Sequence, residues 1–262
     1  RIVPGAPARA VCIAPSSVRV GTPFTYHLKL EDRWGNPVRP PATASHPGVE
    51  RPGVFRLTAA DPATGLAAES NPVLAESEPA RVRACWADLH GQSEETIGTN
   101  TIEDYFRFAR DAALLDACAH QGNDFQITDA FWNTIDRVSR RFYAPGRFVT
   151  FPGYEWSGNT PLGGDRNVYF SSEGGRISRS CTDLLPGKSS VHLDSPNAAR
   201  LFQTLRSRPD PRAFVFAHVG GRYADMSIHD PEIELAVEVH SAWGTFEWLV
   251  DDALSRGYRV GI

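Results

Sequence analysis

Apolar runs in this chain end repeatedly on an imidazole or a carboxylate. Residues 82–87 lead into Asp88-Leu89-His90, residues 116–119 into His120, and residues 148–151 into Gly153-Tyr154-Glu155. Residues 213–217 lead into His218, and residues 235–239, which include Glu238, lead into His240. One histidine at a strand end is more often a packing or hydrogen-bonding group than a ligand. His90, His120, Glu155 and His218 in the same strand-end position point instead to a bound divalent cation, because mixed imidazole and carboxylate donors suit borderline metals. Such an ion acidifies water and steadies charge on a phosphoryl or carbonyl oxygen, so hydrolysis is the expected chemistry. There is no Gly-x-Ser-x-Gly nucleophile turn and no phosphate-cradling glycine loop, which disfavours covalent serine chemistry.

Other residues carry weaker signals. Arg166 follows Asp165 and could clamp a phosphate or carboxylate through its planar fork, with a surface ion pair as the simpler alternative. Asp88 either orients His90 or caps a turn. Glu94 and Glu95 read as loop charges before they read as a further ligand. His27, His46 and His192 fall outside the strand-end pattern, and His229, beside Asp230 and Pro231, reads as a loop residue. Trp86, Trp156, Trp243 and Trp248 read as core and pocket wall, with Trp156 and Trp243 close enough in sequence to the candidate ligands to line a substrate cleft.

Two kinds of element must position these groups. From Ser17 to about Ala84 short β-rich runs alternate with turns. Phe24, Tyr26, Leu28 and Leu30 would share one face before the Trp34-Gly35-Asn36-Pro37 turn, and residues 54–58 read as another strand. Val20 to Pro23 and Gly35 to Val38 resemble the recurring turns of a bacterial immunoglobulin-like sandwich. Beyond Arg81 short apolar strands alternate with amphipathic helices, the texture of an α/β domain, with Thr101 capping a helix that continues to about Leu115. The expected division is residues 1–82 and 83–262.

The second region resembles the polymerase-and-histidinol-phosphatase (PHP) superfamily of metallohydrolases over residues 81–262. Asp88-Leu89-His90-Gly91-Gln92-Ser93 stands where members carry Asp-Leu-His-x-His-Ser. The nearest branch is a bacterial family of long proteins known only as a domain of unknown function. Ala119 to Gly122, Gly153 to Gly158 and Arg166 to Phe170 match three of its segments. The resemblance implies a distorted (β/α)7 barrel, here behind an immunoglobulin-like β-sandwich, and one to three zinc, manganese or iron ions at the strand ends. It carries ligand roles to His90, His120, Glu155 and His218, and leaves Glu238 and His240 as ligands or as groups that hold a ligand or substrate.

Gln92 replaces the usual second histidine with a weaker amide donor, and Asp165 stands where relatives often have histidine. Residues 257–262 resemble a strand that in relatives runs on into Ser-Asp-x-His, so the expected barrel is incomplete at its C-terminal end. The implied reaction is phosphoester hydrolysis of a small phosphorylated or anionic substrate. The rivals are a catalytically degenerate binding or structural protein and a metal-dependent amide or ester hydrolase.

The totals restrict partners. A net charge of -4 offers no basic surface for nucleic acid. No run reaches the roughly 18 apolar residues of a membrane span, so a soluble protein is expected, cytoplasmic or periplasmic. Cys12, Cys85, Cys118 and Cys181 form no C-x-x-C pair and read as buried thiols, and the oligomeric state is left open.

Overall fold

The computed structural model describes residues 3–78, 82–182, 185, 195–208 and 211–262, so His192 lies outside the described residues. The chain divides into two compact units, the residues up to Ala87 with Arg107–Asp116, and Asp88–Phe106 with Ala117–Ile262.

In the first unit the strands are β1 (Arg9–Ile13), β2 (Ser17–Arg19), β3 (Phe24–Glu31), β4 (Ala42–His46), β5 (Gly53–Phe55), β6 (Thr58–Ala60), β7 (Ala67–Glu69) and β8 (Val73–Glu76). They form sheets β1-β3-β4 and β2-β8-β5 and a β6-β7 hairpin. The alternation of β3 works as the sequence predicts at Phe24 and Tyr26, which pack with Val18 and Phe55 around buried Ala14, Leu57 and Val73. The Asp32 carboxylate closes the Trp-Gly-Asn-Pro turn by accepting from the backbone N–H groups of Trp34 (2.8 Å) and Asn36 (2.9 Å). Where the sequence predicts an immunoglobulin-like sandwich, the unit consists of small sheets of short strands. Pro40-Pro41, Pro47-Gly48 and Pro52-Gly53 interrupt the apolar runs, leaving short strands in three small sheets, with β2 and β8 paired in parallel.

The second unit carries β9 (Ala87–Gly91), helix α1 (Ile102–Phe108), β10 (Ala117–His120), α2 (Asp129–Phe142), β11 (Val149–Phe151), β12 (Gly153–Trp156), β13 (Arg166–Phe170), α3 (Ala198–Arg206), β14 (Ala213–Ala217), β15 (Glu234–Val237), a β16 (His240–Ser241) and β17 (Gly244–Thr245) hairpin, and α4 (Glu247–Ser255). Thr128 caps α2 by accepting from the Phe131 backbone N–H, and Phe131, Trp132, Ile135, Val138 and Phe142 form its buried face. At α1 the cap is Thr101, which accepts from the Asp104 N–H at 3.2 Å. That helix widens into a π turn over Ala109–Ala113 and stops at Leu114, whose φ is 61°.

The (β/α)7 barrel expected from the sequence is not present. Among the described residues the strands of this unit form a three-stranded sheet β11-β10-β9, a four-stranded sheet β12-β13-β14-β15 and the hairpin, with no closed ring. The physical reason lies in two connections. Residues 157–165 join β12 to β13 and include Gly158, Pro161, Gly163 and Gly164, too short and too glycine-rich for a crossover helix. Strand β13 therefore returns antiparallel to β12 and runs antiparallel to β14, while within this four-stranded sheet β14 and β15 pair in parallel. Pro152 then divides what reads as one strand, so that β11 joins the first sheet and β12 the second. The whole is mostly small β-sheets with few helices, and no helix among the described residues is long and apolar enough to cross a membrane.

Two further expectations change. Strand β9 starts at Ala87 instead of Val82, so His90 lies within a strand. Cys12 and Cys118 are buried thiols, whereas Cys85 is exposed and Cys181 half-buried.

Candidate metal centre

The site is built on one rim of the four-stranded sheet, where antiparallel β13 begins and parallel β14 and β15 end. Register pairs Arg166 with Ala217 and Ala217 with Val237, so Asp165, His218 and Glu238 each lie one residue beyond a paired row. The ladder continues there, since the His218 N–H donates to the Asp165 carbonyl (3.1 Å) and the Glu238 N–H to the Ala217 carbonyl (3.0 Å). Buried Ala217, Val219 and Val237 sink into a core with Leu249 and Ala253 of α4, which by the two-residue strand period turns His218 and Glu238 to the opposite face. Glu155 pairs with Asn167 across β12 and β13, and Asn167 shares a face with Asp165 two residues away. Gly164, at φ 73°, lets the chain turn into Asp165, since a Cβ there would stand 1.9 Å from the Tyr223 carbonyl oxygen. His90 arrives from β9, whose Leu89 carbonyl accepts from the Tyr169 hydroxyl at 3.0 Å.

The side chains converge. The His90 and His218 rings stack at 4.4 Å between centroids. Glu155 Oε2 lies 3.6 Å from His90 Nε2 and 4.0 Å from His218 Nε2. Its other oxygen accepts from Asn123 Nδ2 (2.8 Å) and Ser157 Oγ (2.9 Å). Glu238 Oε2 lies 2.5 Å from His218 Nδ1, and Asn167 Nδ2 donates to Glu238 Oε1. Arg222 stands between the two innermost acids, 3.7 Å from Glu155 and 3.3 Å from Asp165. His90, His218 and Glu238 bring ligand atoms within 4.8 Å of one another.

Electrostatics set the two imidazoles apart. Burial pushes the His218 pKa down, but its hydrogen bond to Glu238 and the charges of Glu238, Glu155 and Asp165 outweigh that and raise it. Burial, then the neighbouring His218, lowers the pKa of His90. Burial and the Glu155 charge push Asp165 up to about 8 against the pull of Arg222. The donor set suits a divalent ion, since His90 Nδ1 and Asp165 Oδ1 are buried without hydrogen-bond partners.

Of the sequence-predicted residues, His90, Glu155, Asp165, His218 and Glu238 come together. Four stand apart. His120 is fully buried and its two ring nitrogens are occupied, Nδ1 by the Gly122 N–H (3.2 Å) and Nε2 by Ser93 Oγ (2.9 Å). Gln92 turns its amide oxygen to the Thr96 hydroxyl at 2.8 Å. Arg166 is completely buried, giving its guanidinium to the carbonyls of Gly163, Asp225 and Ile228 and to Glu234 at 2.5 Å, so it is neither a substrate clamp nor a surface pair. His240 is exposed on the β16 strand, outside the group.

The secondary readings sort similarly. Asp88 accepts from the His90 backbone N–H instead of its ring, and Glu95 accepts from Ser93 Oγ. His27 bonds Thr43, His46 stacks on Phe24, and His229 bonds Glu234. Sequence reasoning missed Asn123, Asn167 and Arg222. Asn167 was findable from the strand period starting at Asp165, whereas Arg222 lies in irregular chain where no periodicity marks it.

The chain matches the family described as protein of unknown function DUF3604 over residues 58–220. It is 26% identical over 200 residues to an uncharacterized protein of Chlamydia pneumoniae and 27% identical over 200 residues to an uncharacterized protein of Chlamydia trachomatis serovar D. Each alignment covers 75% of this chain and 30% of the relative, so the chain spans about a third of the length of the curated relatives it matches. No solved structure matches. The matched segment contains His90, Glu155, Asp165 and His218, and on its extent the chain belongs to the DUF3604 family.

Proposed function

We propose that this rim is a divalent-metal hydrolase centre of the polymerase-and-histidinol-phosphatase kind, acting on a small phosphoester. His90, Glu155, Asp165 and His218 form the ligand set, with zinc, manganese or iron as the ion. The observation that carries the reading is the convergence of two imidazole Nε2 atoms on one oxygen of buried Glu155, at 3.6 and 4.0 Å. Buried Glu155 and Asp165 share the guanidinium of Arg222, and two carboxyl groups held this close in a buried site are suited to sharing a cation.

A divalent ion held there would supply Lewis acidity, acidifying water and drawing charge from a phosphoryl oxygen. The protein does the rest. Asn123 and Ser157 hold one Glu155 oxygen, which aims the other at the imidazoles. Glu238 takes the Nδ1 proton of His218 into a hydrogen bond and so leaves its Nε2 lone pair facing Glu155. Arg222, a third exposed, is placed to attract an anionic substrate group to the rim.

Elemental analysis of the purified chain, beside a His90→Ala/His218→Ala variant, tests the reading together with phosphate release from a panel of simple phosphoesters. At least one ion per chain and phosphoester turnover, both lost in the variant, are expected. Metal without turnover would assign the chain to binding, and turnover of carboxylic esters or amides alone would change the substrate class. Equal metal content in both proteins would overturn the proposal.

A further inference from the structure

Trp243 is 75% exposed, an unusual position for a large apolar ring. It sits on the tight connection between β16 and β17, where its backbone N–H donates to Ser241 Oγ (3.0 Å) and Gly244 turns the chain at φ 130°. Trp156, the other tryptophan close in sequence to a ligand, is completely buried with its indole N–H on the Ser195 carbonyl, and so lines no cleft. Trp243 by contrast stands beside the metal centre. A Cβ added at Gly220 would lie 3.3 Å from His218 Nε2 and 3.6 Å from Trp243 Cδ1. Gly220 does not have a positive φ, so its backbone does not demand glycine. What the missing side chain provides is the gap between the imidazole and the indole.

We propose that Trp243 and Gly220 form a ring-binding slot beside His218, which selects phosphoesters whose leaving group carries a flat aromatic ring. The inference rests on the hydrolase reading for the position of the reacting group. The indole face supplies stacking, and the glycine leaves room for the ring to pass the ligand histidine. Stacking of an aromatic ring on an exposed aromatic side chain is sequence- and substituent-tolerant, so the slot recognises flatness ahead of any particular substituent. Tyr223 and Trp248, packed edge to face at 5.0 Å and both partly exposed, extend the aromatic surface of this unit.

Phenyl phosphate and methyl phosphate distinguish the slot from the centre. In the metal-loaded chain Trp243→Ala should raise KM for phenyl phosphate about tenfold, the scale of one aromatic stack, and leave methyl phosphate within twofold. Trp243→Phe should recover most of the loss. Quenching of tryptophan fluorescence by phenyl phosphate, present in the wild type and absent in Trp243→Phe, reads binding without turnover. Gly220→Ala should weaken phenyl phosphate more than methyl phosphate. Trp243-dependent quenching without hydrolysis would uphold the slot and remove the hydrolase reading. Hydrolysis with the same phenyl-to-methyl ratio in wild type and Trp243→Ala would overturn the slot and leave the hydrolase reading intact, and absence of any phenyl phosphate binding would overturn the slot as well.

Discussion

His218 Nδ1 lies 2.5 Å from Glu238 Oε2, with Asn167 holding the other Glu238 oxygen. A carboxylate on one imidazole nitrogen fixes the tautomer and raises the basicity of the other, so Glu238 serves the centre by orienting His218. Glu238→Gln should weaken zinc binding about 10- to 100-fold while leaving the number of ions per chain unchanged at saturation. Zinc titration against a chelating dye measures both. A lost ion at saturating zinc would make Glu238 a ligand.

His120 predicts an acid limit for the metal-free chain. Burial, then the nearby His90, lowers its pKa to about 3, against an ordinary value near 6.5. A histidine with a depressed folded pKa is neutral in the fold while the unfolded chain takes up a proton, so stability falls as pH drops from about 6.5 towards 3. The loss amounts to a few kcal/mol across that window. His120→Asn should flatten the slope of melting temperature against pH between 6 and 4, as read by circular dichroism. An unchanged slope would mean that other groups set the acid limit.

Arg166 is structural, and its removal should show in folding. Its guanidinium ties the Gly163 carbonyl to those of Asp225 and Ile228 and pairs with buried Glu234. Arg166→Met leaves Glu234 with His229 as its remaining partner, and breaking a buried pair from one side costs about 3–5 kcal/mol. Arg166→Lys recovers little, because one ammonium cannot span the fork. Urea unfolding should show both losses, with a double variant Arg166→Met/Glu234→Leu regaining part of the first.

The strand ends were legible because ligands and strand ends coincide in the sequence. Residues 213–217 and 234–237 give the runs that deliver His218 and Glu238, and residues 153–156 give Glu155. Two things were hidden. Strand direction is not written in an apolar run, and the turn after Ser157 reverses β13 where the repeated strand-helix texture suggests another parallel strand. Side-chain partners were hidden as well. His120 looks like a ligand until Ser93 and the Gly122 N–H are found on its two nitrogens, and Arg166 looks like a substrate clamp until Glu234, 68 positions away in sequence, is found against it. Arg222 carried no signal at all, since only the long-range pairing of Asp165 N–H with the Arg222 carbonyl brings it to the rim.

Gln92 offers a gain-of-function test. It lies two residues past His90, which by the strand period puts it on the same face at the end of β9, and its amide oxygen is tied to Thr96 at 2.8 Å. An amide is a weak donor to zinc or manganese, and imidazole is a strong one. Gln92→His should therefore raise metal affinity or add an ion per chain, at a stability cost of about 1 kcal/mol for the lost Thr96 hydrogen bond. Metal-to-protein ratio after exhaustive dialysis measures the gain, and thermal unfolding in excess chelator measures the cost. If the cost appears without the gain, the position-92 side chain belongs to the Thr96 loop and the centre is confined to the rim of the four-stranded sheet and His90.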